Sequence, residues 1–144
     1  MLDQVAQVEL NERLWNSVPS RTELPSDEAD YLDAYGPAGG MGESRRQFLR
    51  VQFRETALLM HGDQCHAIYT KDASPKGVAL LTPIQIFPQE RVKLVLRDHP
   101  TMELELRRCR RLAANCYECG TVFVDGVIPP GVYRHLIQHS SRKH

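Results

Sequence analysis

From Val51 to Val124 the chain runs as six short segments, most of which alternate apolar and polar residues, each bounded by turn-forming residues. Strict alternation puts successive side chains on opposite faces of an extended backbone, so each segment reads as a half-buried strand. The first sets Val51, Phe53, Ala57 and Leu59 against Gln52, Arg54 and Thr56, and Glu55 breaks its apolar face. His61-Gly62-Asp63 reads as a hairpin turn, after which residues 64–71 return as the second strand. Residues 77–82 are a short apolar run, and residues 91–97 alternate Val92, Leu94 and Leu96 with Arg91, Lys93 and Arg97. Residues 102–112 and 117–124 form a further pair about a reversal at 113–116. Each segment is too short to bury a core alone. Together they predict a mainly β fold: a closed, six-stranded antiparallel barrel. Residues 130–140 predict a C-terminal helix, with Pro130 in its first turn and Tyr133, Leu136 and Ile137 on one face.

The region before the strands differs in character. Residues 2–18 pattern as a helix, with Leu2, Val5, Val8, Leu14, Trp15 and Val18 roughly on one side and Pro19 ending it. Ser26 is placed to cap a short acidic helix over residues 27–34, whose first-turn carboxylates suit the helix dipole. Gly36-Pro37-Ala38-Gly39-Gly40-Met41-Gly42 has the composition of a linker. The expected division is an acidic helical extension over 1–43 and a barrel domain with its helix over 44–144.

Charge follows the same division. Residues 1–43 hold nine acidic and two basic side chains, a net of −7, and residues 44–144 hold sixteen basic and nine acidic, a net of +7. The overall zero excludes a uniformly basic nucleic-acid coat, yet the body is where an anionic ligand is expected. No run of 18 apolar residues exists, and no basic start precedes an apolar stretch as in a secretory signal. The expected location is therefore the cytoplasm, with the four cysteines reduced.

Two motifs carry the functional reading. Arg45-Arg46-Gln47-Phe48-Leu49-Arg50 opens the strand region and holds an Arg-x-x-x-Arg at Arg46 and Arg50. Asp72-Ala73-Ser74-Pro75-Lys76-Gly77 follows the second strand as an Asp-x-Ser-x-x-Gly. Each has a plain alternative, a solvated strand face for the first and an Asx-type turn for the second. Their placement joins them: an antiparallel ribbon turning at residues 61–62 sets Arg50 beside Asp72 at its open end, to within a residue or two of register. Guanidiniums supply forked donors for phosphate oxygens or the O6/N7 edge of guanine, and their planes stack on purines. Asp72 accepts the N–H groups of a guanine Watson–Crick edge. Ser74 and nearby amides reach phosphate or sugar, and Gly77 permits positive φ or close backbone approach.

These residues resemble the signature of PilZ domains, bacterial receptors for the second messenger cyclic di-GMP. Cys119-Gly120-Thr121-Val122-Phe123 is similar to that family's late Gly-x-x-Phe strand, and the resemblance covers about residues 44–140. It implies a six-stranded barrel and no catalysis. It implies that Arg46 and Arg50 grip phosphates and guanine faces while Asp72, Ser74 and Gly77 surround a guanine. Arg45 stands where similar domains also touch ligand, which favours a stacked ligand pair. The loop carrying residues 45–50 is expected to be mobile without ligand and ordered with it. The expectation is a bacterial receptor and adaptor, with no cofactor or metal, that binds cyclic di-GMP and signals to a partner protein through the N-terminal extension or the barrel surface. Two alternatives stand beside it: a ligand-independent interaction barrel of the same fold, and a small RNA-binding barrel.

Other constellations invite blander readings. Cys116-x-x-Cys119 lies on a strand, where positions three apart face opposite sides, so free thiols are expected instead of zinc. Cys65-His66 lacks a third group to orient a nucleophile and base. His135 and His139 read as surface histidines. The run of Arg107, Arg108, Arg110 and Arg111 has no interleaved aromatics and reads as a solvated face.

Overall fold

The computed structural model describes residues 15, 18–37, 49–97 and 99–141. A short helix, α1 (Glu28–Asp33), precedes seven strands: β1 (Val51–Gln52), β2 (Thr56–His61), β3 (Gln64–Ser74), β4 (Gly77–Thr82), β5 (Arg91–Val95), β6 (Met102–Ala113) and β7 (Cys116–Phe123). A second helix, α2 (Pro130–Ser141), follows. All neighbouring strands are antiparallel, in the order β1-β3-β2-β5-β6-β7-β4, and a further β3–β4 pairing closes the sheet.

The expected six-stranded barrel is what closes, because β1 and β2 are two pieces of one interrupted strand. Both pair with β3, at Gln52↔Asp72 and Thr56↔Tyr69. Three residues, 53–55, lie opposite two, 70–71, so the break is a bulge. Thr70 ties it down: its backbone N–H donates to Glu55 O at 2.9 Å, its hydroxyl accepts from Glu55 N at 2.8 Å, and the same hydroxyl donates to Phe53 O. Phe53 is thereby turned into the core at 1% exposure. Gly62, at φ +60°, makes the two-residue turn between the paired His61 and Gln64.

Inward residues from every long strand meet in one core, including Leu59, Ile68, Leu80, Leu94, Leu104 and Leu106. The helix α2 contributes Leu136, fully buried in that core, and Tyr133, whose hydroxyl donates to Ala73 O at 3.2 Å. The face expected from its sequence is the face that packs.

Residues 18–37 lie against the barrel. Ala67 N donates to Ser20 O at 2.8 Å and Thr22 N to Ala67 O at 2.9 Å, a short parallel pairing with β3. Thr22 Oγ1 donates to Leu81 O at 2.8 Å. Tyr31 of α1 packs edge-on to Tyr69, with ring centres 5.6 Å apart, and its hydroxyl donates to Thr70 O at 2.6 Å. Burial pushes that phenol's pKa up and keeps it a donor. The cap of α1 is Asp27, whose Oδ1 accepts from Ala29 N at 2.8 Å, and not Ser26 as expected. Asp27, one residue further on, has the extended backbone of a cap and sets its carboxylate against the Ala29 amide. Gly36 and Pro37 pair with β1, Gln52 N donating to Gly36 O at 2.7 Å. Apart from Trp15 and Val18, the helix expected over 2–18 lies outside the described residues, as do residues 38–48.

The same packing makes a pH-sensitive joint. His66 is buried beneath this segment, with Nδ1 2.7 Å from Ser20 Oγ, and Nε2 has no partner among the described residues. Burial, helped by the nearby His61, holds its pKa below the ordinary 6.5. The unfolded chain therefore binds the proton first as pH falls. The neutral ring's contribution to stability is complete above pH 6.5 and is lost as pH drops below it. Thermal melts between pH 7.5 and 5 are expected to show Tm falling at the acid end, and His66→Gln is expected to flatten that slope. An unchanged slope would count against this role.

Candidate functional site

The Asp-x-Ser-x-x-Gly segment is a hairpin and not a loop after a strand. β3 runs three residues beyond the expected end, to Ser74, so Asp72 and Ser74 are strand residues. Ser74 pairs with Gly77, and Pro75-Lys76 forms the two-residue reversal. Ser74 is 2% exposed, and its Oγ accepts from Lys76 N at 3.2 Å, so its hydroxyl braces the turn. Gly77 has no positive φ among its uses; a Cβ there would stand 2.0 Å from Thr121 O. Of the two reasons considered for this glycine, close backbone approach is the one that operates.

Arg50 and Asp72 meet. Arg50 Nε donates to Asp72 Oδ1 at 2.6 Å, with the two side chains only 20% and 13% exposed. The residue directly opposite Asp72 is Gln52, because the hairpin turns at Gly62–Asp63 and the bulge adds a residue. Arg50 therefore reaches Asp72 on the diagonal, a span open to a long side chain. Arg45 and Arg46 lie outside the described residues.

This pair forms one wall of a cleft of about 460 Å³ on the outer face of β3, β4, β7 and β6. The floor is Ala79 and Gly120, which are paired neighbours with almost no side chain. The other wall is Arg108, Arg110 and Glu118, and Lys71 stands beside Asp72. Arg110 donates to Glu118 Oε1 at 2.8 Å, and Lys71 donates to Glu118 Oε2. Burial pushes the Glu118 pKa up, but the hydrogen bonds from Lys71 and Arg110 outweigh it and hold the carboxyl below its usual range. The arrangement is four cations and two carboxylates around a flat floor: donors for phosphate, acceptors for base N–H groups, and room for a ring to lie.

Arg107, Arg108, Arg110 and Arg111 are all exposed, as expected of a solvated face, and Arg108 and Arg110 line the cleft as well. β6 shifts register between Leu106 and Arg108, so Leu106 points into the core and Arg108 onto the cleft although both are even-numbered. Simple alternation cannot anticipate that parity change. Arg107, the residue taken up by the shift, pairs instead with Glu105 at 3.7 Å. Lys71 and Glu118 also escaped notice; the pairing Arg110↔Glu118 across the 113–116 reversal is the signal that was available.

The remaining constellations separate. Cys116 packs with Tyr31, Tyr69 and Leu81, whereas Cys119 lies in the barrel core 3.1 Å from Cys109 Sγ. His135 stacks on His99 with ring centres 5.5 Å apart. Among the described residues, no group of three or more His, Cys, Asp or Glu side chains is placed to hold a metal. No described helix is long and apolar enough to cross a membrane.

The comparisons with known proteins agree on the architecture. The Bacillus subtilis inhibitor of motility (MotI/DgrA) matches with a TM-score of 0.51 at 16% identity, covering 69% of this chain and 50% of that one. The chain thus spans half the length of that relative. The PilZ domain of YcgR from Escherichia coli, in a structure with c-di-GMP, matches with a TM-score of 0.50 at 16% identity, covering 69% of this chain and 93% of that one. No curated protein matches in sequence. The family model for the PilZ domain matches residues 44–140, from just before the arginine motif into α2, and on that match the chain belongs to the PilZ domain family.

Proposed function

We propose that this protein is a bacterial, cytoplasmic receptor for cyclic di-GMP that acts as an adaptor and not as an enzyme. The observation that carries the reading is the Arg50–Asp72 pair at 2.6 Å on the wall of a cation-lined cleft. Membership of a family of cyclic di-GMP receptors supports it. Arg50, with Arg45 and Arg46 from the same motif, grips phosphates and stacks on guanine. Asp72 accepts from the guanine Watson–Crick edge. Ser74 and Gly77 act from behind, by shaping the hairpin that presents Asp72. The ligand needs no metal or further cofactor.

The chain divides at the glycine-rich stretch into an extension over 1–43 and a barrel domain over 44–144, and the extension is the output. Tyr31 donates to Thr70 O, two residues before Asp72, so the extension grips the strand that carries the ligand contact. Ligand at Asp72 and Lys71 alters that bulge, and the extension changes what it offers a partner protein. The single tryptophan reports on this step: Trp15 packs edge-on to Tyr69 at 5.6 Å and donates to Ile68 O at 3.3 Å. Saturating cyclic di-GMP is expected to change Trp15 emission, excited where guanine does not absorb, and GTP at equal concentration is not. Emission that stays constant at saturation would refute the gating of the extension.

A further inference from the structure

Asp72, Ala79, Gly120 and Arg108 are successive Cα partners across β3, β4, β7 and β6, so they form one lateral row on the outer face of the barrel. Neighbouring strands lie about 4.8 Å apart, which sets Arg108 about 14 Å from Asp72 across the floor. The two residues between them offer only a methyl group and a hydrogen. Arg108 stands over that floor: its Nε lies 3.2 Å from where a Cβ on Gly120 would be. The other three cations of the cleft are already engaged, Arg50 by Asp72 and both Lys71 and Arg110 by Glu118. Among the described residues Arg108 has no carboxylate partner, and it is exposed.

We propose that Arg108 is a second phosphate-binding residue, on the wall opposite Arg50 and Asp72, that selects a ligand long enough to span the floor. This rests on the reading of the cleft as a cyclic dinucleotide site and adds to it a residue outside both motifs. A free guanidinium facing a cleft has its donors available without first breaking an ion pair, which is the cheapest way to meet a phosphodiester. A guanine mononucleotide seated at Asp72 leaves Arg108 unused, whereas a cyclic dinucleotide carries its second phosphodiester toward the far wall.

The test is calorimetric titration of the full chain and of three variants with cyclic di-GMP. Arg108→Ala is expected to weaken binding about tenfold or more, the scale of losing a charge-assisted hydrogen bond. Arg108→Gln keeps the stem over Gly120 but not the charge, and is expected to lose nearly as much, with melting temperatures confirming that both variants fold. Arg107→Ala, whose side chain pairs with Glu105 outside the cleft, is expected to bind like the parent. Parent-like affinity in both Arg108 variants would overturn the inference and leave the receptor reading intact. A parent protein that fails to bind would overturn the receptor reading, and this inference with it.

Discussion

Arg50→Ala is expected to lower affinity for cyclic di-GMP by at least about a hundredfold, equivalent to about 2.7 kcal/mol. A guanidinium that stacks on guanine while donating to phosphate makes several charge-assisted contacts, each worth about 1.5–3 kcal/mol where water is displaced. Asp72→Ala is expected to match it for a different reason: the guanine N–H groups then lose their acceptor and Arg50 loses the carboxylate that aims it. The pair is largely buried, at 20% and 13% exposure, so deleting one partner leaves the other charge uncompensated and costs folding stability as well. Both variants are therefore expected to melt below the parent while remaining folded at the temperature of the binding measurement. Equilibrium dialysis with parallel thermal melts separates the two quantities. Retained affinity in a folded Arg50→Ala protein would remove this residue from the site.

Among the described glycines, Gly77 is expected to be the most costly to change to alanine. The added Cβ would meet Thr121 O at 2.0 Å, Thr121 C at 2.9 Å and Val122 Cα at 2.9 Å. All three are backbone atoms of β7, so no rotamer change relieves the clash. Either β4 moves away from β7 or the Pro75-Lys76 reversal is displaced, and that reversal is bonded on both sides: Phe123 N donates to Lys76 O at 3.0 Å and Ile128 N to Pro75 O at 2.9 Å. Overpacking into yielding side chains costs about 1–3 kcal/mol. Against backbone the cost belongs at or above the top of that range, and Tm should fall by about 10 °C. Differential scanning calorimetry measures it directly, and a shift of only a degree or two would show that β7 yields. The glycine of the second motif thus holds the barrel together at the hairpin that presents Asp72 and Ser74.

The barrel was legible because its strands alternate cleanly wherever no bulge intervenes. Val92 and Leu94 point inward and Arg91 and Lys93 outward, as their order demands. The departures all sit at irregularities. The extra residue at 53–55 and the turn at Gly62–Asp63 moved the partner of Asp72 from Arg50 to Gln52, yet left Arg50 in reach. β3 continued to Ser74 because Ala73 and Ser74 find partners in Val78 and Gly77, which a reading of Asp, Ser and Pro as turn formers does not foresee. The shift at Leu106/Arg108 turned two arginines of a solvated run onto the cleft. Local alternation carries the fold; the far wall of the site depends on pairings between distant strands.

The central claim is that this cleft holds cyclic di-GMP. Isothermal titration calorimetry of the full chain with cyclic di-GMP, with GTP as the control titrant, tests it most directly. Saturable heat with cyclic di-GMP that GTP does not reproduce is expected, with a stoichiometry of one ligand or of a stacked pair. A flat isotherm accompanied by no thermal shift would contradict it, and equal binding of GTP would contradict its specificity.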